Sequence, residues 1–312
     1  MTREKVKNNK IKGRKEISAA TSRKLFILAF MAWPVLHWFV FYFLTNINSI
    51  LMAFQHTIPG TNHVSWTLDN FADIFVKGFS GGEALLKEST INTLTFFVFG
   101  FFVIQPLNII IGYFFYKKMP VYKIFRFMFY LPAIIPSIVM ATLFKYIIAP
   151  ESSGLLATVF AKLGKPFPNL LGTSDYAMKT MLVYNLWTGL TGFLLTSNAM
   201  KRVPIEIIES AQLDGIKPLR ELVSILVPLV WPTIAVSIIM SVLGIFTSSG
   251  PVLVFTKGEY GTYTIAYWLF EKVLTVTNLE YAAAAGLFFT VLGLPILIAT
   301  KWLTRRVEDV EY

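Results

Sequence analysis

The sequence contains no cysteine, only three histidines and few charges, and each shortage removes a class of function. Without cysteine there is neither a disulfide framework nor a thiolate metal site. His37, His56 and His63 do not fall at zinc-ligand spacing, and no metal site or cofactor is expected. No Gly-x-x-x-x-Gly-Lys-Ser/Thr motif occurs, so the chain has no P-loop to cradle nucleotide phosphates. Charged residues make up 15% of the chain and hydrophobic ones 55%, whereas soluble domains carry about 25% charge.

The apolar residues are gathered into long blocks. A helix needs about 20 consecutive apolar residues to cross the hydrocarbon core of a bilayer. Six blocks reach that length: 25–44, 93–116, 127–148, 180–200, 226–246 and 281–300. The one charge inside them is Lys145, near a block end. The pattern predicts an all-α membrane protein with six transmembrane helices. Pro34 lies in the first, where neighbouring groups can re-satisfy the freed backbone.

Basic residues set the orientation. The segments 1–24, 117–126, 201–220 and 301–312 together hold 20 of the 28 Lys and Arg residues. The positive-inside rule places these segments, and both termini, in the cytoplasm. The net charge of +10 follows from this asymmetry. The basic tail lacks the interleaved aromatics or recognition element of a nucleic-acid binder, so a lipid surface is its expected contact and no nucleic-acid partner is expected. The first block is too long for a leader's apolar region and no small-residue cleavage site follows, which predicts an uncleaved anchor. The domain plan is a basic tail over 1–24, a transmembrane domain over 25–303 and a short tail over 304–312. The stretch 55–89 lies outside, with turn signals at Pro59-Gly60 and Gly81-Gly82, and Trp66, Phe71 and Phe75 are expected to form an interfacial piece.

The cytoplasmic loop 201–224 has structure of its own. Pro204 suits a first helical turn. From there Glu206, Glu209 and Ser210 share one helical face, and Ile207, Ile208 and Ala211 the opposite one. Asp214-Gly215 reads as a helix stop with the glycine left-handed, and Pro218 begins a second short helix leading to Leu226-Val227-Pro228. Such a helix pair cannot bury both faces alone; it is built to dock.

Glu209-Ser210-Ala211, Asp214-Gly215 and Ile225-Leu226-Val227-Pro228 resemble the EAA loop of binding-protein-dependent ABC importer permeases. The stretch from Arg202-Val203-Pro204 to Pro232 resembles the sugar-permease, maltose-type (type I) version. Arg126 through Tyr130-Leu131-Pro132, and Asn185-Leu186-Trp187, resemble further motifs of that family. Ser210, Ile216 and Val227 depart from the usual Ala, Ala and Leu. The resemblance implies a type I permease fold in a bacterial cytoplasmic membrane. Its coupling loop would use Glu206, Glu209, Ser210, Ala211, Asp214, Gly215 and Pro228 to dock one of two separate ATP-binding subunits, with Glu209 the ionic contact. It further implies a second, different homologous permease as partner, an extracytoplasmic substrate-binding protein, and a saccharide cargo. The chain itself is then a transport subunit and not an enzyme.

The helices offer neutral polar groups and rings: Asn108, Asn185, Trp187, Thr188, Thr191, Ser237 and Ser241. Ion-coupled transport ordinarily needs intramembrane charges, which the helix interiors lack. The maltose-type pattern places sugar contacts at Thr188, Gly189, Gly192, Ser241, Gly244, Ile245 and Ser248. Gly244 and Ile245 stand where that pattern has a ring and an amide, which implies a different or bulkier saccharide. Small residues line helix–helix contacts equally well, and Trp187 suits packing as well as stacking. The competing readings are a non-sugar cargo such as glycerol phosphate or a peptide, and a membrane enzyme or scaffold. Asp214-Gly215 is not followed by the Ala-Arg and aspartates of a lipid-headgroup transferase.

Overall fold

The computed structural model describes residues 19–57, 63–79, 84–150, 154–247, 251–275 and 279–305. The tail through residue 18, both glycine turn signals (Pro59-Gly60 and Gly81-Gly82), Ser248 and the end from residue 306 lie outside them. Residues 1–51 and 52–312 form two units.

In the first unit the helix Ala19–Trp38 passes through a π-helical turn, Phe39–Phe43, into Leu44–Ala53. The apolar run Thr21–Ala53 counts 33 residues, about 50 Å at 1.5 Å per residue, longer than the ~30 Å hydrocarbon core. Every side chain over 21–50 is exposed, and rings pair along the helix, Phe26 with Phe30 at 6.1 Å and Phe39 with Phe43 at 5.2 Å. A bare apolar helix of this kind fits lipid, not water.

The second unit is helical apart from one antiparallel ribbon, Gln55–Thr57 with Val64–Trp66, in which His56 faces Ser65. Among the described residues, Leu85–Tyr116 and Leu279–Arg305 are also long and apolar enough to span. Two further apolar segments are bent pairs. Tyr122–Ile134 and Ser137–Ile147 meet at 115°, and Pro218–Leu229 and Trp231–Leu243 at 77°. Proline causes the first break: Ile135, before Pro136, is extended at φ −81°, ψ 133°, as the pyrrolidine ring demands of its predecessor. At the second break the new helix starts at Trp231, with Pro232 in its first turn. The fourth apolar block is Ser174–Gly189 and Phe193–Met200, joined by a 3₁₀ turn at Leu190–Gly192.

The second helix begins at Ala84, well before the expected residue 93, because its polar start is spent on tertiary bonds. Asn92 Nδ2 donates to the carbonyls of Gly261 and Tyr263, both at 2.9 Å, and Thr93 Oγ1 accepts from Ile265 N at 2.9 Å. Phe71 packs on Phe54 at 5.2 Å at the edge of the core, whereas Phe75, edge-on to Phe288 at 5.1 Å, and Trp66 are both exposed.

Three apolar clusters hold this unit together. One joins Ala53, Ile74, Leu86 and Trp268 to Ala284, Ala285 and Phe289. A second joins Tyr113 and Met200 to Val203, Ile208, Leu222, Leu226 and Val230. The third joins Met140, Met181, Tyr184, Phe255 and Tyr267.

Candidate functional site

The loop 201–224 folds as two short helices. Pro204 precedes the first helix, Ile205–Leu213, by one residue, with ψ 133°, and so caps it from outside instead of sitting in its first turn. The helix closes on a Schellman motif. Ile216 N donates to Ala211 O at 3.2 Å, and Gly215 N to Gln212 O at 3.0 Å. Gly215 has φ +74° and open space where a Cβ would stand, so backbone conformation alone requires the glycine. Pro218 then starts the second helix, Pro218–Glu221.

Ile208 is buried among Val203, Leu222 and Leu226. Ile207 is exposed and Ala211 only half-buried, so the helix presents a narrower strip to the core than the two-face pattern assigns. Glu206, Glu209, Ser210, Asp214 and Gly215 are exposed, and Pro228 is half-buried. No ionic partner meets Glu206, Glu209 or Asp214 among the described residues. Leu213 and Leu219 stand 89% and 71% exposed beside them. Unpaired carboxylates and bare leucines thus share one exposed surface.

The anchor of this surface is not written in the local residue pattern. Glu221 is 2% exposed; Lys117 Nζ lies 2.7 Å from its Oε1 and donates to Oε2 at 3.0 Å. The Tyr113 hydroxyl donates to Oε1 at 3.4 Å. A buried carboxylate is stable only when paired, so this contact ties the second short helix to the end of Gln105–Tyr116. The signal available in the sequence was a glutamate among apolar positions, but its partner lies 104 residues away.

Away from this surface two cavities open between the helices. One, of about 270 Å³, is lined by Phe96, Phe97 and Phe101 with Thr93, Asn185, Ser241, Gly244, Ile245 and Thr264. The helix wall beside it includes the π-helical turn Gly100–Ile104, a distortion frequent at functional sites. The other, of about 740 Å³, is lined by Tyr184, Asn185, Thr188, Ser137, Thr247 and apolar residues. Asn185 borders both, and neither lining carries a charged side chain.

Trp187, Gly189 and Gly192 line neither cavity. A Cβ on Gly192 would stand 2.7 Å from Asn108 Nδ2, and one on Gly189 3.0 Å from Ile104. Asn108 Nδ2 donates to Gly189 O at 3.0 Å, and Thr196 Oγ1 to Asn108 O at 2.9 Å. These glycines therefore let Gln105–Tyr116 approach the fourth block closely. Trp187 packs near Phe144, ring centroids 6.2 Å apart. Ser248 lies outside the described residues. Gln105, passed over in the sequence because it stands among apolar residues, donates to Ser241 Oγ at 2.9 Å and so bridges two helices beside the smaller cavity.

With this geometry in hand, comparison with known proteins decides the family. Residues 105–309 match the family described as the binding-protein-dependent transport system inner membrane component. The chain belongs to that family. It is thus a membrane component of a transport system, not of an enzyme family. The arabinooligosaccharides transport system permease protein AraP of Bacillus subtilis (strain 168) is 24% identical over 288 residues, 90% of this chain and 89% of the relative. The sn-glycerol-3-phosphate transport system permease protein UgpA of Yersinia pestis is 25% identical over 192 residues, 60% of this chain and 64% of the relative. A bacterial alginate ABC transporter, solved in complex with an alginate pentasaccharide-bound periplasmic protein, has a chain of the same fold. Its TM-score is 0.79 at 21% identity, covering 95% of this chain and 100% of the other. A second crystal structure, of a bacterial ABC transporter importing the acidic polysaccharide alginate, gives 0.78 over 92% and 98% at 21% identity.

Proposed function

We propose that this permease component serves an ATP-driven importer of oligosaccharides in a bacterial cytoplasmic membrane. It would span the membrane six times, with both termini cytoplasmic: three continuous helices, two bent pairs, and the kinked fourth block over 174–200. The loop 201–224 docks a separate ATP-binding subunit through Glu206, Glu209, Ser210, Ala211, Asp214 and Gly215, with Pro228 at the re-entry to the membrane. A second, homologous permease completes the path, and an extracytoplasmic binding protein delivers the cargo. The domain plan of tail, transmembrane domain and coupling loop belongs to the same reading.

One observation carries the cargo assignment. Asn185 joins two cavities walled by hydroxyls, an amide and aromatic faces without a charge. Hydroxyls need hydrogen-bonding groups and sugar rings need flat apolar faces, and a charged lining would be costly to desolvate for a neutral cargo. AraP, named for arabinooligosaccharides, supports the saccharide class. Asn185, Thr188, Ser241, Gly244 and Ile245 border the proposed path; Trp187, Gly189 and Gly192 shape it from behind, and Ser248, outside the described residues, is assigned to it by the family resemblance alone.

An anionic cargo is the second reading. Lys145 Nζ donates at 3.2 Å to the carbonyl of Val254, a residue of the larger cavity, and two of the similar proteins are named for an acidic polysaccharide and a phosphate ester. Uptake by cells expressing the chain with its partner subunits separates the two. Neutral oligosaccharide uptake should fall about tenfold in Asn185→Leu and stay unchanged in Lys145→Gln. Loss of a uronate-bearing oligosaccharide's uptake in Lys145→Gln, with no neutral uptake at all, would replace the neutral reading with the anionic one.

A further inference from the structure

A smaller polar cavity, of about 100 Å³, lies apart from the two just described, lined by Lys118, Tyr122, Arg126, Ser197, Asn198 and Lys201. Its apolar wall is the stacked pair Phe115 and Phe193, ring centroids 4.4 Å apart. Two independent features set it apart from a solvated basic edge. Ser197 is 3% exposed, yet its hydroxyl has no hydrogen-bond partner. Many helical hydroxyls elsewhere among the described residues bond the carbonyl four residues back, as Ser89 does to Leu85 O at 2.6 Å. A buried hydroxyl left bare is destabilising unless a ligand completes it.

The second feature is charge. Lys118, Arg126 and Lys201 converge with no carboxylate partner among the described residues; Lys201 Nζ merely approaches Asn198 Oδ1 at 3.5 Å. Lys117, one residue earlier, is paired with Glu221, so the neighbouring cation was given a carboxylate and these were not. The turn presenting Lys118 holds it at φ +50° and Val121 at φ +64°, a conformation uncommon for residues with a Cβ.

We propose that this cavity binds a phosphate group. Lysine and arginine are donors without acceptors, and the guanidinium fork matches phosphate oxygens. Together with the Ser197 and Tyr122 hydroxyls they form a donor set for a tetrahedral oxyanion. The cavity lies at the basic ends of apolar helices, on the side the positive-inside rule makes cytoplasmic. Phe127 and Leu195, next along the chain from lining residues, are exposed apolar side chains. That setting favours the headgroup of an anionic lipid; soluble phosphate is the other source of the same chemistry. The site does not depend on the cargo or on the ATP-binding partner.

The test uses the full chain, delipidated in neutral detergent and titrated separately with phosphatidylglycerol and with inorganic phosphate, binding being read by native mass spectrometry. The triple variant Lys118→Gln/Arg126→Gln/Lys201→Gln should bind at least about tenfold more weakly. Ser197→Ala should lose roughly fivefold, the worth of about one hydrogen bond, and Arg126→Lys a similar amount because the fork is gone. Lys123→Gln/Lys217→Gln/Lys301→Gln, which removes the same charge elsewhere on that side, should bind like wild type. Displacement of the lipid by inorganic phosphate would make the ligand a soluble phosphate; lipid binding alone would make it a headgroup; both uphold the site. Equal weakening in the two triple variants, or no binding of either anion by wild type, overturns it. Should the site triple fold poorly, unchanged binding in both Ser197→Ala and Arg126→Lys overturns it too.

Discussion

The docking loop and the mid-helix cavities use polar residues in opposite ways. In the loop, Glu206, Glu209 and Asp214 point outward with no partner among the described residues, while the one buried carboxylate, Glu221, is fully engaged. Between the helices, Ser241 bonds Gln105 and Ser237, Thr188 bonds Tyr184, and Asn108 Nδ2 donates to Gly189 while its Oδ1 is buried without a partner among the described residues. Under the proposed function, a partner protein is met by unpaired groups on a loop held by the Lys117–Glu221 contact. Under the same proposal a cargo meets Thr188 and Ser241, which already hold bonds within the protein.

Breaking the anchor should have the largest effect. Lys117→Met leaves Glu221 buried and unpaired, and about 3–5 kcal/mol of stability should be lost, read as a lowered Tm in detergent. Lys117→Met/Glu221→Leu should recover most of it, since replacing both partners removes the stranded charge. Next comes Gly192→Ala, whose methyl would meet Asn108; overpacking there should cost about 1–3 kcal/mol. Gly244→Ala sharpens the contrast. Its Cβ would lie 3.5 Å from two carbonyl oxygens of its own helix, so Tm should hold while uptake of bulky oligosaccharide falls. Gly215→Ala should cost about 1 kcal/mol through its left-handed backbone. Glu209→Lys should change Tm least, under about 0.5 kcal/mol as for exposed sites generally, yet weaken association with the ATP-binding subunit.

The loop was legible in the sequence because its signals are local. A proline, a 3.6-residue alternation and an Asp-Gly stop all act within a dozen residues of where they are written, and only the place of Pro204 and the width of the buried strip differ. The apolar blocks were legible for the same reason, though not their ends. Helix two extends back to Ala84 because Asn92 and Thr93 find partners near residues 261–265, a fact no window along the chain contains. The bends of 115° and 77° near Pro136 and Val230 interrupt blocks that read as continuous along the sequence. Gly189 and Gly192 carried an ambiguity that composition cannot resolve, since a missing side chain serves a ligand or a neighbouring helix equally. Their contacts with Ile104 and Asn108 show which neighbour they accommodate. Gln105 and Glu221 were illegible because their meaning lies in distant partners.

The central claim is that the loop 201–224 docks an ATP-hydrolysing subunit, and one measurement meets it directly. The chain is purified from native membranes as wild type, Glu209→Lys and Gly215→Trp, and the co-purifying ATPase is quantified by amount and activity. The account predicts an ATPase and a second permease with wild type, with the ATPase reduced at least tenfold in both variants while the second permease stays. Equal recovery of ATPase with all three proteins, or none with wild type, would contradict it.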